Sequence, residues 1–270
     1  DTDGNFSISA EEGTFSFDIL PEGVTLNKGD RIQFKGDNYD IFSVSSDTVD
    51  IRLAFDTGSN EYKFDVQGNI MSLLCSDESF YTFNTIGGAS CFVQLFSPSS
   101  IAGFSYDSCN IVDASNLVLP ATVLSQSCYK KMFENCTSLV SAPDLPANYA
   151  LPHCYENMFA GCKKLIYAPK VLPASILQPY CYQYMFYGCE SLQIAPELPA
   201  TTLAYSCYVD MINACKKLEY LKVGFGTPKS DSWPGFGVDP SYYTYQWLGD
   251  MIIAGSEVEQ PQFYWKGTDD

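Results

Sequence analysis

The 270-residue chain is poor in positive charge and almost without histidine: 15 lysines and arginines stand against 32 acidic residues, and His153 is the single imidazole. The resulting net charge of −17 argues against phosphate backbones and anionic membrane surfaces as partners. No nucleic acid is therefore expected. No apolar run approaches the roughly 18 residues of a membrane-spanning helix, so no insertion by the folded chain is expected either. Cysteine pairs at the C-x₂₋₄-C spacing of zinc sites are missing, as are G-x-S-x-G, H-E-x-x-H and phosphate-loop motifs. A catalytic thiol would have His153 as its only imidazole base.

What is present is a chain 46% hydrophobic and 15% aromatic, enough to bury a core over one large or two modest domains. Its charge is uneven: residues 1–118 carry 5 basic and 18 acidic side chains, while 119–223 carry 8 lysines and 7 acids. The acidic part reads as a solvated surface.

Residues 119–223 are repetitive. Cutting before each Leu-Pro-Ala yields "LPATVLSQSCYKKMFENCTSLVSAPD", "LPANYALPHCYENMFAGCKKLIYAPKV", "LPASILQPYCYQYMFYGCESLQIAPE" and "LPATTLAYSCYVDMINACKKLEYLKV". Three units have 26 residues, and the second, 145–171, has one more. An earlier degenerate copy shows as "SCFVQLF", with Cys91, Phe92 and Phe96 at the Cys-Tyr and Phe positions. A period of this kind is the mark of a solenoid, in which each unit buries its apolar face against its neighbours.

Within one unit, Cys128, Tyr129, Met132, Phe133 and Cys136 fall within about 140° on a helical wheel. This spacing predicts an amphipathic helix of about two turns with both cysteines inward. A short apolar strand follows ("SLVSA", "KLIYA", "SLQIA", "KLEYL"), ended by proline in the first three units. Cysteines eight apart on such a helix are separated by roughly 12 Å, too far for a disulfide. Equivalent cysteines on packed helices, about 8–10 Å apart, fare no better. The cysteines therefore read as buried structural thiols, with some disulfides as the second reading, and no metal is expected on them.

The pattern L-x-x-A-P-x-L-P-A…C-Y-x-x-M-F-x-x-C resembles the BspA-type leucine-rich repeats of Bacteroidales surface proteins. Leu139, Leu165, Leu192 and Leu218 hold the leucine position, and Phe133, Phe159 and Phe186 the phenylalanine position, which Ile212 takes in the last unit. "GNIMSLL" (68–74) resembles the segment joining a small β domain to such repeats, and "YTYQWLGDM" (243–251) their terminal segment. The resemblance implies a secreted or outer-membrane-anchored protein facing outward, often a lipoprotein with its lipid anchor upstream. It further implies a non-enzymatic chain and, for some members, adhesion to host proteins.

The flanks complete an α+β architecture. "TFSFD", "RIQFK", "VDIRLAF" and "YKFDV" alternate apolar and polar residues, and "NKGD" and "DTGSN" supply turns, so a small antiparallel β domain is expected over 1–67. A leucine-rich-repeat solenoid with short parallel strands and short helices should follow over 68–270. It divides into a degenerate entry unit (68–118), the four repeats (119–223) and an aromatic C-terminal cap (224–270) containing Trp233, Trp247 and Trp265. At the start, Asp1, Asp3, Asn5, Ser9 and Glu12 mimic calcium-loop ligands, but Phe6 stands where the loop needs glycine. We read a polar terminus entering a strand.

Three functions compete. The first is a binding or adhesion module using positions that vary between units: Ser141, Tyr167, Ile194 and Tyr220, then Asp144, Lys170, Glu197 and Val223. Tyr167, Ile194 and Tyr220 are the candidate contacts for a host protein or glycan, because aromatic and bulky apolar side chains make efficient anchors. The second is a structural spacer within a surface protein. The third is a carbohydrate-active enzyme, for which 32 acids guarantee some carboxylate pair and so select none. No catalytic residue and no cofactor is expected.

Overall fold

The computed structural model describes residues 7–12, 15–17, 24–26, 31–33, 63–75, 78–98, 109–224 and 262–265. At its N-terminal end, β1 (Ser7–Glu12) runs antiparallel to β4 (Arg31–Gln33) and to β5 (Lys63–Asn69). A separate hairpin joins β2 (Phe15–Phe17) to β3 (Val24–Leu26). Ser9 and Glu12, two of the calcium-loop mimics, are thus strand residues opposite Arg31 and Lys63. Asp1, Asp3 and Asn5, the expected strand "VDIRLAF" and both expected turns lie outside the described residues.

The boundary expected at 67/68 falls inside β5. That strand also pairs in parallel with β6 (Ile111–Asp113) and β7 (Leu117–Val118). The sheet then continues through single bridges, Asp113 to Ser141 and Ser141 to Tyr167. Alternation explains why one strand serves both sides: Phe64 and Val66 are buried while Lys63 and Asp65 are half-exposed. Ile70–Leu73 follows as a buried 3₁₀ turn, capped by the Asn69 side chain accepting from the Met71 N–H.

The helix expected at each C-Y-x-x-M-F-x-x-C stretch does not form. In its place the chain makes overlapping four-residue turns. In the first repeat the N–H groups of Cys128, Lys130, Met132, Glu134 and Cys136 donate to the carbonyl three residues back, at 3.0–3.4 Å. The intervening N–H groups of Ser127, Tyr129, Lys131, Phe133 and Asn135 donate instead to Pro152, Cys154, Glu156, Met158 and Ala160 of the next repeat, at 2.7–3.1 Å. The same alternation links each unit to its successor, from Phe92 and Phe96 onto Cys128 and Met132 through to Tyr182 and Phe186 onto Cys207 and Met211.

This ribbon requires a left-handed residue every fourth position. They are Ser127, Lys131 and Asn135 in the first unit, then His153, Asn157 and Gly161, Tyr180, Tyr184 and Gly188, and Ser206, Asp210 and Ala214. Such a residue costs roughly 1–2 kcal/mol, least for glycine and asparagine. A helix would keep every N–H within one unit. The ribbon gives half of them to the neighbour, which identical stacked units can accept in register, and this offsets the local strain.

The burial expected of the helix survives in the ribbon, with a period of 4.0 in place of 3.6. Cys128, Tyr129, Met132, Phe133 and Cys136, and their counterparts in the other units, are all buried. Two aromatic columns run through the interior. Phe92, Tyr129, Tyr155, Tyr182 and Tyr208 stack with ring centres 5.4–5.9 Å apart. Phe96, Phe133, Phe159 and Phe186 stack at 4.9–5.5 Å. At the far end β10 (Tyr220–Val223) pairs in parallel with β11 (Gln262–Trp265). Trp233 and Trp247 lie outside the described residues.

The expected short strands shrink further, to single bridges at Ser141, Tyr167 and Ile194. Proline two residues on, at Pro143, Pro169 and Pro196, has no N–H for a longer ladder. A second parallel pairing arises just after Leu-Pro-Ala, where β8 (Tyr149–Ala150) meets β9 (Ile176–Leu177).

Candidate binding surface

Every unit offers three outward stretches: the bridge residue before the prolines, the pairing after Leu-Pro-Ala, and the outer side of the turn ribbon. The first holds the residues singled out from sequence. Ser141 bridges Tyr167 and Ile194 bridges Tyr220, both in parallel, so the variable position pairs between the first two units and between the last two. Tyr167 is 65% and Ile194 61% exposed, while Tyr220 is half-buried. Side chains in a ladder of this kind repeat about every 4.8 Å. Tyrosine, isoleucine and tyrosine thus hold the same position in successive units, with exposed Ile166 beside Tyr167.

The second set of variable positions is less uniform. Glu197 pairs with Lys222 at 2.7 Å, and Val223 is buried under the last rung rather than facing solvent.

A second apolar column was not anticipated. Val123 (54% exposed), Tyr149 (39%) and Ile176 (55%) occupy the fifth position of successive units, and Thr202 holds it in the fourth. Tyr149 pairs with Ile176 across β8 and β9, and Val123 with Thr85. The sequence signal was available: a β-branched or aromatic residue stands two places beyond Leu-Pro-Ala in all four units.

The ribbon's outer side is polar. Lys130 reaches Glu156 at 3.2 Å, and Lys131 reaches Glu134 at 3.6 Å. Partial burial holds the Glu134 carboxyl above its usual range despite Lys131 beside it. Further round, Glu190 sits between Lys216 (2.8 Å) and Lys163 (3.9 Å), and the hydrogen bond and charge of Lys216 lower its pKa. His153, at a left-handed position, contacts the Glu156 carboxylate and stacks on Tyr180 with ring centres 4.8 Å apart.

The thiols face the other way. All 11 cysteines are buried. Burial pushes Cys128, Cys207 and Cys215 up to about 12, and Cys154, Cys162, Cys181 and Cys189 well above the ordinary range. A thiol so far above neutral supplies almost no thiolate, which is the nucleophile and the metal ligand. Their second role is structural: Cys162, Cys189 and Cys215 donate to the carbonyls of Phe133, Phe159 and Phe186 in the preceding unit, at 3.1–3.2 Å. The distance argument against disulfides fails with the helix, since stacked ribbons lie closer than packed helices. None of the 11 is joined in a disulfide in this structure.

Among the described residues no cluster of three or more histidine, cysteine, aspartate or glutamate side chains is arranged to hold a metal, and no helix is long and apolar enough to cross a membrane. No protein-family model, curated protein or solved structure matches the chain.

Proposed function

We propose that this chain is a non-enzymatic binding or adhesion module of the BspA-type leucine-rich-repeat kind, exposed at a cell surface or secreted, and that Tyr167, Ile194 and Tyr220 contact its partner. The observation that carries the reading is the exposure of bulky apolar side chains, Tyr167 and Ile194, at the same position of neighbouring units. Bulky apolar side chains left uncovered at equivalent positions are the kind of surface that a partner covers. The partner class is a host protein or glycan, with tyrosine faces supplying apolar area and hydroxyls supplying hydrogen bonds.

The test has two steps. An array of matrix proteins and glycans is probed with the purified chain, and the Tyr167→Ala/Tyr220→Ala double variant is then measured against each partner found. A well-folded double variant should bind at least tenfold more weakly. Undiminished affinity in that variant moves the site elsewhere, and an array with no partner favours the spacer reading.

A further inference from the structure

Just after Leu-Pro-Ala, every unit turns two consecutive side chains outward. Thr122, Asn148, Ser175 and Thr201 stand fourth in their units, and Val123, Tyr149, Ile176 and Thr202 stand fifth. The entry unit adds Asn84 and Thr85: the Thr122 N–H donates to Asn84 O at 2.9 Å, and Thr85 bridges Val123 in parallel. All ten of these residues are exposed. Buried residues pin them on both sides. Ala121, Ala147, Ala174 and Ala200 precede the repeat pairs, and Leu124, Ala150 and Leu177 follow the first three.

The pairs are held in step. The Ser175 N–H donates to Asn148 O at 3.2 Å, beside the pairing of Tyr149 with Ile176. Across the other two steps the ribbon carries the register. Four places beyond Val123 and Ile176, Ser127 N–H donates to Pro152 O at 3.1 Å and Tyr180 N–H to Tyr205 O at 3.0 Å.

The two rows differ in kind and agree in lacking charge. The row from Asn84 to Thr201 holds only amides and hydroxyls, each able both to donate and to accept a hydrogen bond. The row from Thr85 to Thr202 holds only β-branched or aromatic side chains. On a chain of net charge −17, none of these ten exposed positions is an acid, a lysine or an arginine. The ribbon's outer side, by contrast, is laced with ion pairs such as Lys130–Glu156 and Lys131–Glu134. A charged group laid on the rows would lose hydration and find no counter-charge in them. A sugar ring carries the matching surfaces, hydroxyls around its rim and C–H groups on its faces. Paired rungs lie about 4.8 Å apart, close to the advance of one sugar in an extended pyranose chain.

We propose that the two rows bind a neutral, linear glycan lying along the stack. Its hydroxyls meet the Asn84-to-Thr201 row, and its C–H faces meet the Thr85-to-Thr202 row. Tyr149 and Ile176, paired near the middle, supply the main apolar contact, with Asn148 and Ser175 beside them as hydrogen-bonding groups. Pinned between buried neighbours, the backbone here has little ordering left to lose on binding. The rows share no residue with Tyr167, Ile194 and Tyr220, so the two surfaces are tested apart.

Calorimetry of the full chain against cello-, manno-, xylo-, malto- and N-acetylated chito-oligosaccharides tests this, with heparin and polygalacturonate as charged counterparts. At least one neutral series should bind, more tightly with each added sugar until the oligomer is as long as the rows. Its affinity should be the same at low and high salt. Tyr149→Ala/Ile176→Ala should weaken that binding at least tenfold. Ser175→Asp, which leaves both apolar side chains in place, should also weaken it. Tyr167→Ala/Tyr220→Ala should leave it unchanged, and thermal melts check that each variant is folded. Binding by no neutral series, binding by the charged polymers alone, or undiminished affinity in folded Tyr149→Ala/Ile176→Ala or Ser175→Asp would each overturn the proposal.

Discussion

The Cys162 thiol donates to the carbonyl oxygen of Phe133 at 3.1 Å, across the boundary between two repeats. That oxygen already accepts the N–H of Cys136 at 3.0 Å, so the thiol fills its second lone pair. The contact recurs in every later unit, which accounts for cysteine at a site where alanine alone would satisfy a small apolar pocket. Cys162→Ala should lower stability by about 1–2 kcal/mol, and Cys162→Ser, which keeps a donor, should lose less. Urea denaturation of both variants checks this. A serine variant weaker than the alanine variant would mean that the sulfur is there for volume and not for its S–H.

Alkaline pH should unfold the protein. In the unfolded chain thiols ionise near their ordinary value of 9.0, whereas burial makes Cys128, Cys207 and Cys215 hold their protons to about 12 when folded. Their stabilising effect is complete below pH 9 and is lost as pH rises towards 12. Between those limits each thiol lowers stability by about 1.4 kcal/mol per pH unit. The buried Tyr129, Tyr155, Tyr182 and Tyr208, raised mainly by burial, push in the same direction. Circular dichroism against pH should show cooperative loss of structure beginning above pH 9; equal denaturation midpoints at pH 8 and about pH 10.5 would contradict the burial of these groups.

The Tyr129 hydroxyl is buried without a hydrogen-bond partner among the described residues. Its ring stacks on Phe92 of the entry unit at 5.9 Å, where a phenylalanine already does the same work. Tyr129→Phe should therefore stabilise the protein by about 1 kcal/mol, because an unsatisfied buried hydroxyl costs that much or more. A lower melting temperature in Tyr129→Phe would reveal a partner for the hydroxyl.

Left-handed positions allow two opposite substitutions. Gly161 has φ of 75°, and a Cβ there would come within 2.3 Å of Asn135 Oδ1. Gly161→Ala should destabilise by about 1–2 kcal/mol, mostly through backbone strain, since the amide end can swing aside. Ala214 holds the equivalent position in the last unit with φ of 61°. Ala214→Gly should stabilise by up to about 1 kcal/mol. Thermal melts that rank the two variants the other way would argue against the turn ribbon.

The repeat, its buried residues and the exposed column were legible because each rests on a period or on internal variation. The backbone of the ribbon was not. Cys128, Met132 and Cys136 at four-residue steps drift by only about 80° on a helical wheel, so nine residues do not separate a period of 4.0 from one of 3.6. The discriminating signal was chemical: asparagine or glycine at 135, 157, 161 and 188 and aspartate at 210 mark left-handed turns. Strand β5 was read as the end of a domain because its alternation resembles any half-buried strand. Pairing partners 47 or more residues away, such as Ile111 for Phe64, are invisible to local pattern. The column at Val123, Tyr149 and Ile176 was readable and overlooked beside the larger tyrosines.

One rung of the ladder takes a full 26 or 27 residues of chain and advances the stack by only about 5 Å. The same 26 residues drawn into an α-helix would reach about 39 Å. Residue for residue this is among the shortest ways to cover distance, and a poor choice for holding a neighbour away from a membrane. What the stack multiplies is lateral area: each added unit extends the Tyr167 column, the Val123 column and the charged ribbon side by one step together. Lengthening such a protein widens what it can touch far more than how far it can reach.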